Sequence, residues 1–190
     1  GDLPLQIAVS PDKRRIAVTN NGQSVQSIQL IDAQGEKLLH TRIVDKAWYG
    51  LAFSPDGNTL YASGGHDNRI LVFDIGYDTL HALPDIPLGE PWPNRIAPAG
   101  LVVDKSGRRL YAVTRDDRRL YQIDLRTRSV TSKTPLGSEA YACILSPDGR
   151  YLYISLWGGD SVLRRELATG RTVGWPTGDN PNEMCLSRNG

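Results

Sequence analysis

The chain has 190 residues, of which 39% are hydrophobic and 23% are charged, and its formal net charge is +1. This composition is ordinary for a globular protein with a sizeable core. Like charges occur only in short runs such as Arg108-Arg109 and Arg118-Arg119, which argues against a nucleic-acid surface, and no apolar run approaches the roughly 18 residues of a membrane span.

A turn motif recurs along the chain at a nearly constant spacing. Its anchor residues are Ser10, Ser54, Asp104, Ser146 and Ser187, which lie 44, 50, 42 and 41 residues apart. In the four complete copies, the second strand opens with Ile or Leu six residues after the anchor. A fixed period of about 40 to 50 residues with strand-like content indicates a propeller or a solenoid. The constant spacing predicts a hairpin closed by a Pro-Asp-Gly turn.

Each copy is predicted to contain four antiparallel strands. Short apolar inner strands are expected at 5–9, 50–53, 100–103, 141–145 and 184–186. The second strands carry the Leu-Tyr runs. The third strands end in an acid, at 28–32, 70–74, 120–124 and 162–166, and more polar fourth strands are expected at 37–43, 79–86, 129–136 and 171–175. No stretch has a sustained helical period with caps, so very little helix is expected.

We therefore predict an all-β fold, a β-propeller of four-stranded antiparallel blades with four full blades plus the first strand of a fifth. Over residues 1–190 the blades are expected at about 5–43, 50–86, 99–136 and 141–175, with the fifth starting at 184–190. Propellers close with four to eight blades, and a fifth blade that begins at Met184 and stops at Gly190 would leave an open edge, so the chain is interpreted as a fragment of a roughly seven-bladed propeller. A four-bladed ring whose last strand overlaps the first blade is the alternative. Open blade edges would favour self-association.

The sequence offers little for metal binding or nucleophilic catalysis. Its three histidines have no ligand spacing, and no serine lies in a Gly-x-Ser-x-Gly elbow. Cys143 and Cys185 are expected on opposite faces of equivalent inner strands, as buried free thiols rather than a disulfide. We predict no metal, no cofactor and no catalytic residue in this chain.

Unusual residues gather at one end of the predicted blades. Strand alternation puts the Ser-Pro-Asp-Gly turns at one end, and the second-to-third and blade-to-blade connections at the other. Aromatic and charged side chains at the second end suit a small-molecule or protein ligand, unless the tryptophans merely fill gaps between blades and the acids cap turns. The candidate residues are Trp48, Tyr49, His66, Asp67, Arg69, Trp92, Asn94, Arg95, Arg115, Asp116, Tyr141, Trp157, Asp160 and Asn182.

The longest connection, 84–98, contains five prolines around Trp92 and Arg95. Prolines stiffen such a loop, so it can hold its shape without strand pairing. The hypothesis is that it docks a partner domain or forms a pocket rim. An irregular crossover between blades is the alternative.

The repeats resemble the YVTN-repeat, or YncE-like, propeller family. Residues 17–20, Ala-Val-Thr-Asn, stand where that family has Tyr-Val-Thr-Asn, and Tyr61, Tyr111 and Tyr153 keep the tyrosine. Residues 1–5, 19–24, 46–53 and 64–69 resemble the start of secreted bacterial proteins that join a propeller to an alkaline-phosphatase-like phosphoesterase domain. WD-repeats fit less well, because the third strands do not end in Trp-Asp.

The main functional interpretation is a non-catalytic propeller scaffold or binding module. The resemblance implies a periplasmic or extracellular location, although no signal peptide is visible at Gly1, and as partners it implies further blades and a C-terminal phosphoesterase domain. The first alternative is therefore the N-terminal propeller part of a secreted phosphoesterase whose catalytic domain is absent. The second is a lactonase-like propeller enzyme acting through groups such as Arg69, Arg95 and Asp116.

Overall fold

The computed structural model of the chain describes residues 3–187. Their strands form four four-stranded sheets. Sheet 1 consists of β1 (Leu3–Val9), β2 (Arg15–Asn21), β3 (Ser27–Asp32) and β4 (Lys37–Ile43), and sheet 2 of β5 (Leu51–Phe53), β6 (Thr59–Ser63), β7 (Arg69–Asp74) and β8 (His81–Pro87). Sheet 3 consists of β9 (Pro98–Val103), β10 (Arg109–Thr114), β11 (Arg119–Asp124) and β12 (Ser129–Pro135), and sheet 4 of β13 (Cys143–Leu145), β14 (Tyr151–Leu156), β15 (Ser161–Glu166) and β16 (Thr172–Pro176).

In every sheet the strands follow one another in chain order and pair antiparallel, as predicted for a propeller blade. Helix within residues 3–187 is limited to one 3₁₀ turn, Gly65–Asp67. The inner strand predicted at 184–186 is not formed. A β-strand needs a hydrogen-bonded partner strand, and no described strand pairs with this segment. The remainder of the predicted fifth blade, 188–190, lies outside the described residues.

The repeated turn has the chemistry that its sequence predicts. The Ser54 hydroxyl donates to Asp56 and accepts from the Thr59 N–H at 2.9 Å, while Asp56 Oδ1 accepts from the Asn58 N–H at 3.1 Å. The same bonds recur from anchors Ser10 and Ser146, and in the third copy the Asp104 carboxylate accepts from the backbone directly. The fourth turn position has positive φ, +75° at Gly57. Local hydrogen bonds therefore fix each hairpin.

These hydrogen bonds make a pH dependence of stability expected. The serine hydroxyls, followed by backbone N–H groups, lower the pKa of Asp12, Asp56 and Asp148. The stabilisation is therefore full above the unfolded-state pKa near about 4 and is lost as the pH falls through the lower folded-state pKa. A D12N/D56N/D148N variant should unfold at lower urea than the parent chain at pH 7, with the difference narrowing below about pH 4.

Urea titrations at pH 7, 5, 4 and 3 measure this difference. Asp45→Asn, at an exposed aspartate outside the turns, is the matched control and should follow the parent chain. A parallel decline of the parent and the triple variant below pH 4 would contradict a role for the turn carboxylates.

The chain divides into two compact units, Gly1–Pro98 and Ala99–Gly190. In the first, one face of sheet 1 packs on sheet 2 through fully buried Ala17, Ile28 and Leu30. In the second, sheets 3 and 4 share a second core. That core contains Tyr111, Val113, Leu120, Ala140, Cys143, Leu152, Ile154 and Leu156.

A buried hydroxyl links each of three sheets to the segment that follows it. The hydroxyl lies nine residues after the turn anchor and donates to a backbone carbonyl downstream: Thr19 to Tyr49 at 3.2 Å, Ser63 to Pro98, and Ser155 to Asn182 at 2.6 Å. Thr19 and Ser155 also accept an inner-strand N–H, from Gln6 at 3.2 Å and Ala142 at 3.0 Å. We call this arrangement the hydroxyl bridge.

Sheet 3 has Val113 at the position of the hydroxyl, so its inner strand is linked to the following segment without a hydroxyl bridge. The Gly100 N–H donates directly to the Tyr141 carbonyl at 2.7 Å. Without a bridging oxygen, the inner strand must come closer to the entering segment. A glycine makes that approach possible, since a Cβ at residue 100 would lie 2.7 Å from the Tyr141 carbonyl oxygen.

Candidate functional site

The loops at the end of the sheets opposite the Ser-Pro-Asp-Gly turns carry the predicted site residues. Trp48 is half-buried, and its backbone N–H donates to the Ser63 carbonyl at 3.3 Å. Tyr49 is only 1% exposed, so its side chain belongs to the core and not to the surface formed by its neighbours. The backbone carbonyl of Tyr49 accepts the hydrogen bond of the Thr19 hydroxyl bridge.

Asp67 and Arg69 form the centre of an ion-pair network in the first unit. Arg69 contacts Asp67 at 2.9 Å and Asp85 at 3.3 Å, and Lys46 contacts Asp67 at 3.2 Å. All four side chains are between 25% and 51% exposed, so each pair contributes little to stability. The network fixes the orientation of the groups and balances their charges. His66, between these elements in the 3₁₀ turn, is exposed.

Asn68 organises the proline-rich loop, although the sequence did not single it out. Its side chain donates to the carbonyls of Glu90 at 2.9 Å and Asn94 at 2.7 Å, and it accepts the N–H groups of Ile96 at 3.0 Å and Ala97 at 3.2 Å. Its carbonyl also accepts the Leu88 N–H at 2.9 Å. Asn68 is fully buried and has a φ of +56°. The one sequence signal is that Asn tolerates this left-handed conformation better than most residues.

The loop fixed by Asn68 presents an aromatic–cation pair. Trp92 is 67% exposed, and the Arg95 guanidinium lies 4.9 Å from the centre of its ring. The Trp92–Pro93 peptide is cis. Asn94, between the two side chains, is held through its carbonyl by Asn68. The first unit thus brings His66, Asp67, Arg69, Trp92, Asn94 and Arg95 onto loops that meet at Asn68.

In the second unit Arg115 and Asp116 pair with each other at 2.8 Å, and their neighbour Asp117 has a structural task. Asp117 accepts hydrogen bonds from the Thr114 hydroxyl and, at 2.5 Å, from the Tyr121 hydroxyl. Burial, and then the Asp117 hydrogen bond, raises the pKa of Tyr121. Asp117 therefore holds the β10–β11 hairpin closed beside Arg115 and Asp116, which are both partly buried.

The remaining candidates lie on three loops of the second unit that bond to one another. Asn180 donates to the Trp157 carbonyl at 2.6 Å, and the Asp160 carbonyl accepts the Thr177 N–H at 2.6 Å. Asn182 receives the Ser155 hydroxyl bridge. The Tyr141 side chain is half-buried, and its burial and the nearby Glu183 charge raise its pKa. Trp157 and Asp160 are exposed, so this cluster also offers an aromatic and an acid to a partner.

Trp175 lies outside the loops, in β16. Its ring stacks on Tyr153 with the centroids 6.1 Å apart, and the Arg164 guanidinium lies over both Trp175, at 5.3 Å, and Tyr151, at 4.8 Å. Half-buried and exposed aromatic side chains thus cover the face of sheet 4 that does not pack on sheet 3.

The structure gives different environments to the two cysteines. Cys143 is buried in β13, and burial raises its pKa to about 12. Cys185 is exposed, so the expectation that it is buried is wrong, because no inner strand forms around it. Within residues 3–187, no three His, Cys, Asp or Glu side chains come together as a metal site. No described helix is long and apolar enough to cross a membrane.

The family model described as WD domain, G-beta repeat matches residues 38–74. This segment runs from within β4 to the end of β7 and therefore takes one strand from sheet 1 and three from sheet 2. It ends at Phe73-Asp74, where WD-repeats have Trp-Asp. The match supports a propeller repeat in this copy, whose third strand ends in Phe-Asp rather than in Trp-Asp.

Two further proteins are similar to most of the chain. Protein NirF of Pseudomonas aeruginosa is 27% identical over 172 residues, which cover 88% of this chain and 43% of NirF. Among solved structures, Kuenenia stuttgartiensis hydrazine synthase superposes with a TM-score of 0.77 and 22% identity, over 92% of this chain and 49% of that chain. The chain thus spans less than half the length of either protein. At this identity the structural likeness shows the fold alone, and the chain is an all-β protein with the β-propeller fold.

Proposed function

We propose that the chain is a non-catalytic propeller scaffold that binds a protein partner through the loops opposite the Ser-Pro-Asp-Gly turns. The observation that carries the proposal is the exposed Trp92–Arg95 pair, on a loop held by four hydrogen bonds that the Asn68 side chain donates or accepts. Trp and Arg are the residue types most enriched at the energetic centres of protein interfaces. A loop that is already ordered loses little further conformational entropy on binding.

The ion pairing of the charged candidate residues in each unit favours recognition over catalysis. Arg69, a candidate for lactonase-like chemistry, is bound by two carboxylates, and Asp116 is bound by Arg115. A side chain already held in an ion pair would have to leave its partner before it could act on a substrate. Ion pairs at the rim of an interface instead provide orientation and partner selectivity.

Photo-crosslinking tests the binding surface. A photoreactive amino acid at position 92, in the protein that carries this chain and expressed in its own host, should give a discrete crosslinked product. The same group at Tyr77, which is 99% exposed but outside these loops, is the matched control and should not give it. The product should weaken at least about fivefold when Arg95 is replaced by alanine, since a hot-spot side chain contributes at least about 1 kcal/mol.

Equal crosslinking from positions 92 and 77 would contradict the proposed surface. Turnover of p-nitrophenyl phosphate or of a γ-lactone by the purified chain would contradict the non-catalytic assignment. The two readouts separate the binding surface from the chemistry.

We further propose that additional blades complete the propeller. Val9, Ile16, Ile31 and Leu38 form one cross-strand row on the face of sheet 1 that does not pack on sheet 2, and Val9 and Leu38 are each 55% exposed. An apolar row of this kind suits packing against another sheet. The Ser155 bridge to Asn182 gives residues 182–187 the same attachment that leads from Tyr49 into β5. The greater length of both similar proteins agrees with this view.

As part of the same proposal, the chain is a YncE-like propeller similar to those of secreted propeller–phosphoesterase proteins. The hydroxyl bridge supports it, since Thr19 is the threonine of the Tyr-Val-Thr-Asn position and Ser63 and Ser155 repeat its role. A location outside the cytoplasm and a C-terminal phosphoesterase partner follow from that resemblance.

A further inference from the structure

A cavity of about 660 Å³ opens at the turn end of sheet 3, away from the loops described above. It is lined by Arg108, Arg109, Gln122, Asp124, Arg126 and Thr131. These residues come from β10, β11 and β12 and from the turns beside them, so all of them belong to the second unit. The volume is in the range of small-molecule sites, about 300 to 1,000 Å³. We call this cavity the arginine groove.

The arginine groove has an excess of positive charge. Its lining residues include three arginines and one acid, Asp124. Asp124 Oδ1 already accepts the N–H groups of Arg126 at 2.8 Å and Thr127 at 2.9 Å, and these bonds lower its pKa. None of the three arginines forms an ion pair within the part of the chain that the structure describes. Their positive charges therefore remain largely unbalanced.

An adjoining cavity of about 310 Å³ has no net charge. It shares Arg109 with the arginine groove and adds Arg150, but it also contains the acids Asp104 and Glu166. Arg150 lies 4.0 Å from Glu166. Two arginines and two acids leave no net charge there. The charge excess is thus a property of the groove and not of the whole turn end.

We propose that the arginine groove binds a small anion carrying carboxylate or phosphate groups. Guanidinium groups hold such oxygens through paired, charge-assisted hydrogen bonds. The Gln122 amide and the Thr131 hydroxyl, which line the same cavity, can bond the uncharged polar part of the molecule. A cavity of this size holds a small molecule rather than a polymer, and the chain as a whole has a net charge of only +1.

Titration of the purified chain with citrate and with pyrophosphate tests the groove, since the two probes separate carboxylate from phosphate recognition. At least one should bind saturably, with amide NMR shifts confined to residues 108–131, and glycerol should not bind. Arg109→Gln and Arg126→Gln should each raise the Kd at least about tenfold, because a hydrogen bond to a charged group contributes about 1.5 to 3 kcal/mol.

Arg42→Gln, which removes an exposed arginine of sheet 1, is the control for net charge and should leave the Kd unchanged. Equal thermal unfolding midpoints exclude misfolding of the variants. No saturable binding of either anion, or equal weakening by Arg42→Gln, would overturn the proposal. Tighter binding of a single-stranded oligonucleotide than of both small anions would overturn it in favour of a nucleic-acid surface.

Discussion

Replacing Asn68 with alanine should lower the free energy of unfolding by about 3 kcal/mol or more and release the proline-rich loop. The substitution removes four hydrogen bonds and leaves the Ile96 and Ala97 N–H groups and the Glu90 and Asn94 carbonyls without their partner. A buried polar group left unsatisfied costs about 1 to 3 kcal/mol, and alanine also tolerates the φ of +56° less well than asparagine does. Urea unfolding measures the stability.

Hydrogen exchange and two further variants separate the loop from the rest of the unit. In N68A the amides of Ile96 and Ala97 should lose protection first, because both donate to the Asn68 side-chain oxygen, whereas Leu88 donates to the Asn68 backbone carbonyl, which alanine retains. Asn68→Asp keeps the acceptor oxygen but places a second oxygen against the Glu90 and Asn94 carbonyls and buries a charge, so a loss at least as large as that of N68A is expected. Asn94→Ala should be nearly neutral, since Asn94 takes part through its backbone carbonyl. Unchanged exchange at Ile96 and Ala97 in N68A would show that the loop holds its shape without Asn68.

The turns and strands were predictable because local chemistry determines them. The turn spacing specifies a hairpin whose hydrogen bonds all join residues within six positions of one another. The structure forms the serine–aspartate bond in three copies, and in the third copy the Asp104 carboxylate accepts the local hydrogen bonds instead. Repetition strengthens the prediction, since four copies must agree on the same register. Of the predicted inner strands, only the one at 184–186 is missing, and its formation depends on a partner strand rather than on its own residues.

Contacts between distant residues were not predictable in this way. Asn68 bonds residues 22 to 29 positions away, and nothing in its neighbours distinguishes it from an ordinary turn asparagine. Tyr49 was grouped with Trp48 as a surface aromatic, but its ring is 1% exposed, and burial of this kind depends on tertiary packing rather than on neighbouring residues in the sequence. The arginine groove was not predicted because Arg108 and Arg126 lie in different turns, which only the folded sheet brings together, and the candidate residues were expected at the opposite end of the blades.

Gly100→Ala should be the most disruptive single change in the second unit, with a loss of about 3 kcal/mol or more. A Cβ at this position would lie 2.7 Å from the Tyr141 carbonyl oxygen and 2.8 Å from both Ala142 Cα and Cys143 N. All three are backbone atoms, so no side-chain rotation relieves the overlap, and overpacking of this kind costs about 1 to 3 kcal/mol before the 2.7 Å Gly100–Tyr141 hydrogen bond is lost. Gly178→Ala, with open space around the new methyl group, is the matched control and should be nearly neutral.

A second substitution tests why glycine is needed. Val113 stands where Thr19, Ser63 and Ser155 supply the bridging hydroxyl, so Val113→Thr should restore an oxygen between the inner strand and the Tyr141 carbonyl. With that bridge the two segments can lie farther apart. The double variant Gly100→Ala/Val113→Thr should therefore be at least about 1 kcal/mol more stable than the sum of the two single effects predicts. Additive effects in urea unfolding would mean that Gly100 is required for close packing alone, independently of the missing hydroxyl.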